Sequence, residues 1–163
     1  MKTLIKFLIM NAFILLVFIF SGCEQITQPI SETGLNSLQK AFETRPIKGI
    51  FIYTSPTQIN DSVFAYTATG NASHLGNCTV LDTVIYHYTP TGVTVDGTDW
   101  ITVANGSIIH MTWFMDLNNP STWVWEFVSG TGRFAGVIGN GTFTTEMTGS
   151  GDLIVTFLGT ITY

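Results

Sequence analysis

From Pro46 to the end of the chain, apolar and polar side chains alternate with period two, and the alternating runs are separated by turn residues. In 107–116, Ile109, Met111, Trp113 and Met115 share one parity, while Ile108, His110, Thr112, Phe114 and Asp116 take the other. In 152–162, Leu153, Val155, Phe157 and Ile161 oppose Asp152, Thr156, Thr160 and Thr162. In 141–148, Phe143 and Met147 oppose Thr142, Thr144, Glu146 and Thr148. Alternate side chains of a strand point to opposite faces, so this pattern predicts sheets buried on one side. Strands are expected near 47–54, 62–70, 77–89, 99–104, 107–116, 122–128, 141–148 and 152–162. Asn105-Gly106, between two such runs, is a strong hairpin signal, and Asp96-Gly97 and Asn118-Asn119-Pro120 read as further turns. Short connections make neighbours antiparallel. The pattern therefore predicts an all-β domain over 46–163: a single antiparallel β-barrel of about eight strands, or alternatively a β-sandwich.

The first 45 residues have a different texture. Lys2 and Lys6 precede an apolar run of 14 residues, Phe7 to Phe20, broken only by Asn11. Crossing a bilayer takes about 20 apolar residues, so the run is short for a membrane span and fits a cleaved leader over 1–22. Residues 23–45, rich in Glu, Gln, Ser and Thr, read as a tether. Leu35, Leu38 and Phe42 fall on one face of a possible short helix, capped by Ser31 or Thr33 and stopped at Pro46.

Composition narrows the function classes. Only 10% of the residues are charged and the net charge is −5, with 6 Lys+Arg against 11 Asp+Glu. Losing Lys2 and Lys6 with the leader takes it to −7. That excludes the clustered basic surface a nucleic-acid partner needs. It also gives the chain no attraction to an anionic membrane surface. At 45% hydrophobic and 13% aromatic the chain is not disordered. There are two cysteines, Cys23 and Cys78, and no Cys/His cluster with zinc spacing, so no cofactor and no metal is implied.

Ser21-Gly22-Cys23 after the apolar run resembles the end of a bacterial lipoprotein signal. The resemblance implies that the Cys23 thiol is alkylated with diacylglycerol and becomes the acylated N-terminus, holding the protein to a membrane in the cell envelope. The expected place is the periplasmic face of the outer membrane if the source is Gram-negative. Three further segments, Pro46-Ile47-Lys48-Gly49, Gly70-Asn71-Ala72-Ser73-His74-Leu75-Gly76 and Gly130-Thr131-Gly132-Arg133-Phe134-Ala135-Gly136, resemble a family of secreted bacterial proteins. The last also resembles the Gly-Thr-Gly-x-Phe segment of plant dirigent proteins and, more loosely, allene oxide cyclases. That likeness implies an eight-stranded antiparallel barrel, and a shared barrel carries no reaction with it.

The residues of these segments have structural and functional readings. Gly76, Gly130 and Gly132 permit turn dihedrals closed to other residues, and Phe134 is placed to cap a barrel end. His74 holds its loop by hydrogen bonds or ligates a metal. Arg133 either bridges carbonyl groups or a carboxylate, or orients an anionic ligand at the mouth. Two acids are candidates for catalysis. Asp82 shares parity with Cys78, Val80, Val84, Tyr86 and Tyr88, so it is either buried with a shifted pKa or solvated at a bulge or sheet edge. Glu126 lies between Val124 and Val128, opposite the stripe of Trp123, Trp125 and Phe127, and reads as a general acid or base or as a solvating residue of an outer face. Three functions are compatible: a structural or binding lipoprotein, a carrier of a small apolar ligand in the lumen, and a cyclase or isomerase acting on a lipid-derived or phenolic substrate. The state of the lumen decides among them. Facing polar groups around a cavity favour the enzyme, an apolar cavity favours the carrier, and a packed interior excludes both.

Overall fold

A computed structural model describes residues 43–163. The leader, Cys23 and the tether with its proposed helix lie outside these residues, apart from the last three tether positions. The described chain is nine strands and one short 3-10 turn. The strands are β1 (Arg45–Tyr53), β2 (Thr57–Asn60), β3 (Val63–Ala72), β4 (Gly76–Thr89), β5 (Gly92–Val103), β6 (Ile108–Asp116), β7 (Asn119–Gly130), β8 (Ile138–Met147) and β9 (Leu153–Thr162). The turn is Gly132–Phe134.

From β2 to β9 each strand pairs antiparallel with the next, as short connections require. β1 joins the two sides. It pairs with β9 from Arg45↔Ile161 to Tyr53↔Leu153 and with β3 from Gly49↔Ala72 to Tyr53↔Ala68. The result is a closed antiparallel barrel of eight strands, not a sandwich. β2 is a short addition on the free part of β3.

The period-two pattern correctly separates inside from outside. Ile47, Phe51, Val80, Val95, Ile101, Ile109, Trp125, Phe127, Phe157 and Ile161 point inward and are buried. Their alternates, such as Leu81, Trp100, Phe114, Val124 and Leu158, stand on the outer surface. The sequence expectation fails at Asp96-Gly97. These residues are in the middle of β5, which runs from Gly92 rather than from 99. Gly97 faces Trp113 across β6, and a Cβ there would overlap the indole ring. The glycine makes room for a ring instead of making a turn. β2 is the other departure: it is only four residues long, all exposed, and has no apolar face to announce it.

The two barrel ends differ. At one end the chain leaves β7, makes the turn at Gly132–Phe134 and folds Phe134 inward, where it is completely buried. The Tyr163 ring is 4.9 Å away and the Arg133 guanidinium lies 4.6 Å over the Phe134 ring. Val103, Ile109, Val137 and Ile161 complete this plug. At the other end the inward residues Tyr66, Tyr86, Met115, Thr145, Leu153 and Val155 are all part-exposed, so the lumen opens there.

Candidate functional site

The three segments that carry the family resemblance meet at the plugged end. Arg133 Nη2 donates to the backbone carbonyls of His74 (3.0 Å) and Leu75 (3.4 Å). His74 Nε2 is 3.1 Å from the Pro46 carbonyl, and the Ser73 amide donates to the Lys48 carbonyl at 2.9 Å. Thr131 hydroxyl oxygen accepts from the Ile108 amide at 2.9 Å. His74 has φ of 68° and Gly132 of 59°, the left-handed region. A Cβ on Gly132 would overlap the Ser107 hydroxyl, and one on Gly130 the Phe134 carbonyl oxygen. Gly76, also at positive φ, opens β4 just after the turn. Arg133 and His74 thus tie two turns to the barrel end and face away from the open mouth. Cys78 is in the same region, its thiol pushed up to about 11 by burial. It is therefore a neutral thiol at neutral pH.

The lumen has a different character. Asp82 on β4 and Asp99 on β5 are directly opposed in register and both point inward, 5% and 1% exposed. Asp82 is neither at a bulge nor at an edge, since Tyr66 on β3 pairs with it from the other side. The solvated alternative for this residue is therefore corrected: its strand is regular and has neighbours on both flanks. Glu126 is exposed on the outer surface between Thr112 and Asn140, and accepts from the Thr112 hydroxyl at 3.5 Å. The wall of the barrel separates it from Asp82.

Two donors hold the aspartates. The Trp113 indole N–H is 3.3 Å from Oδ1 of both Asp82 and Asp99. The Tyr53 hydroxyl donates to Asp99 Oδ2 at 3.4 Å. Trp113 reaches both acids because Gly97 lets its ring lie flat against β5. Burial raises both carboxyl pKa values, most strongly that of Asp82, where the neighbouring Asp99 adds to the rise. The hydrogen bonds from Trp113 and Tyr53, and that with Asp82, pull Asp99 partly back. Two carboxylates this close and this dry do not both ionise at neutral pH, so the pair holds one proton between them. Tyr53 is also raised, first by its own burial and then by the two acids.

Between the pair and the mouth is a cavity of about 80 Å³. A single water needs roughly 10–15 Å³, so the space admits several waters or a small organic group. Its walls are Phe51, Val84, Met111, Trp125, Phe143 and Phe157 deeper in, with Tyr66, Tyr86, Met115, Thr145, Leu153 and Val155 towards the opening. Burial, then Tyr86, pushes Tyr66 up to about 12. Four residues separate Asp82 from Tyr86 near the mouth and four from Cys78 near the plug. At about 3.3 Å per residue the acids are some 13 Å from either level.

Asp99, Tyr53 and Trp113 complete the site around Asp82. Asp99 carried the same signal as Asp82, an acid in the parity of Ile101 and Val103. A turn read at Asp96-Gly97 hid it by placing it at a strand start. No group of three His, Cys, Asp or Glu among the described residues is placed to hold a metal ion. Compared with known proteins, the chain matches no protein-family model and no curated sequence.

Proposed function

We propose that this protein is a lipid-tethered binding barrel. Cys23 holds the chain to an envelope membrane, and the lumen receives a small, mostly apolar molecule whose polar group meets the Asp82–Asp99 pair. The observation that carries the reading is a hydrogen-bonding pair at the floor of an apolar-walled cavity with one open end. Small-molecule sites have this composition: mostly apolar lining with a few convergent polar groups that fix orientation. A purely structural barrel fills its interior with side chains, and two desolvated acids would cost it stability for no return. The lipid tether rests on the spacing of Lys6, the apolar run and Ser21-Gly22-Cys23.

Titration of the soluble Cys23→Ala chain with phenethyl alcohol tests the lumen. One saturable site is expected, with a shift of the Trp113 indole N–H resonance. Val155→Trp, which fills the opening, should remove it. Saturation that is unaffected by Val155→Trp places binding elsewhere and overturns the reading.

The facing Asp82 and Asp99 at the cavity also meet the condition set out for an enzyme, so a second reading is acid–base catalysis of the cyclase or isomerase kind on a lipid-derived or phenolic substrate. It is favoured by a carboxylic acid kept neutral beside an ionisable one, the arrangement that lets a single site donate and accept a proton. Turnover that disappears in both Asp82→Asn and Asp99→Asn, with binding retained, would select it.

A further inference from the structure

Among the described residues the lumenal acids have no basic counterpart: no Lys, Arg or His lines the cavity. The polar groups that line the cavity with the pair are Tyr53 from β1, Tyr66 from β3, Trp113 from β6 and, nearer the mouth, Tyr86 from β4 itself. β7, β8 and β9 contribute Trp125, Phe143, Thr145, Leu153, Val155 and Phe157, none of them charged. The negative charge left on the pair is therefore balanced by nothing except hydrogen bonds from Trp113 and Tyr53. Aromatic rings surround it, and the face of a Trp, Tyr or Phe ring attracts a cation within about 6 Å.

The ends of the barrel add a second, independent observation. Every Lys and Arg among the described residues, Arg45, Lys48 and Arg133, belongs to the plugged end. Arg45 lies beside Tyr163 and Glu43, and Lys48 and Arg133 are bonded into the turn that holds His74. The mouth half carries Asp61 in the β2–β3 turn, Asp96, Asp116 at the end of β6, Glu146 near the end of β8 and Asp152 just before β9. Among the described residues, His87, paired with Asp96, is the only basic side chain there. A cleft of one sign with apolar walls focuses its field and raises the local concentration of the opposite charge.

We propose that the lumen is a site for a small organic cation, an aryl- or alkyl-amine that enters ammonium-first and places its charge between the Asp82 and Asp99 carboxylates. This rests on the lumen-binding reading and names its ligand class. The ammonium donates to the carboxylate oxygens that face the cavity, and its apolar body extends past Phe143, Leu153 and Val155 towards the opening. An inorganic divalent ion is served poorly. Calcium takes 6–8 oxygen ligands, and the lining offers two carboxylates, tyrosine hydroxyls and Thr145. An anion meets only repulsion.

Three ligands of one shape separate the possibilities: phenethylamine, phenethyl alcohol and 3-phenylpropionate, titrated calorimetrically into the soluble Cys23→Ala chain. The amine should bind about 10- to 100-fold more tightly than the alcohol, the range of a hydrogen-bonded charge against a neutral group, and the carboxylate most weakly. Lowering the pH from about 8 to about 5 moves the pair towards double protonation. Amine affinity should then fall while alcohol affinity stays level. Either amide alone leaves one carboxylate to carry the charge, so the deciding chain has Asp82→Asn and Asp99→Asn together, which should bring the amine to within about 3-fold of the alcohol. Retained alcohol binding shows that this double variant is folded. Equal affinity for amine and alcohol in the parent chain overturns the inference and leaves the lumen reading standing. Amine binding that survives both substitutions also overturns it, by placing the cation on the acidic outer surface. Absence of all three ligands from the lumen overturns both readings.

Discussion

Asp82 and Asp99 give the barrel a pH dependence of known sign. Both have carboxyl pKa values above the ordinary value near 4, so above that pH the folded chain binds more protons than the unfolded one. Stability is therefore full in mild acid and falls as the pH rises through the pair's folded-state titration. Denaturant unfolding from about pH 4 upward should show a declining midpoint, opposite to the acid lability of most salt-bridged carboxylates. Asp82→Asn should flatten that decline and raise the midpoint at neutral and alkaline pH. The amide keeps an oxygen for the Trp113 N–H and stays neutral beside Asp99 without having to hold a proton. A midpoint that rises with pH in the parent chain would contradict this account. The site is half legible in the sequence for a reason seen at single residues. Asp82 stands out because five apolar or aromatic neighbours share its parity. Asp99 has the same property, but Gly97 two positions earlier mimics a turn. Trp113 and Tyr53 carry no sequence sign of their role, because their partnership with the acids exists only across strands.

At the scale of elements, two glycines and a turn set the shape of the interior. Gly97→Ala should push the Trp113 indole off β5, costing roughly 1–3 kcal/mol as overpacking does and breaking its hydrogen bonds to both acids. Thermal unfolding and the Trp113 indole N–H resonance report the two effects together. The turn at Gly132–Phe134 is the plug. Phe134→Ala should cost about 3–5 kcal/mol, since the ring is fully buried against Tyr163. Gly132→Val should destabilise as well, because φ is 59° and Ser107 fills the Cβ direction. Arg133→Ala should cost less, as its partners are carbonyls of a part-exposed turn and not a buried acid. Unchanged unfolding midpoints for Phe134→Ala and Gly132→Val would make the segment a free surface loop. The strands themselves were legible because each barrel wall is wet on one side and dry on the other, which imposes the period-two pattern. β2 escaped because both of its faces are exposed.

For the whole molecule, the strand pairings close within Arg45–Thr162. A chain beginning at residue 43 should fold alone, with no metal and no dependence on reducing agent, as Cys78 is a free, buried thiol. Circular dichroism of that truncation is the check, and loss of the β signal would mean that residues before 43 belong to the fold. Cys23→Ala should abolish fatty-acid labelling and leave precursor or a soluble form. A parent chain that never takes up the label would remove the lipid tether.

The seam between β1 and β9 also dictates the order in which the barrel is made. Six of its eight strand junctions join segments separated by a turn or a short loop, and β1 and β3 are separated by the short stretch that holds β2, whereas β1 and β9 meet across more than a hundred residues of intervening chain. Loop-closure entropy grows with the logarithm of length, and it is incurred before the nine residue pairs of that seam return anything. The hairpins therefore form first as an open ribbon, and the first strand zips onto the last one at the end. Substitutions on β1 where it pairs with β9 alone, such as Ile47→Val, should accelerate unfolding and leave the refolding rate nearly unchanged. The open ribbon, with two long unpaired edges, is the species that would exchange its first strand with a neighbouring molecule at high concentration.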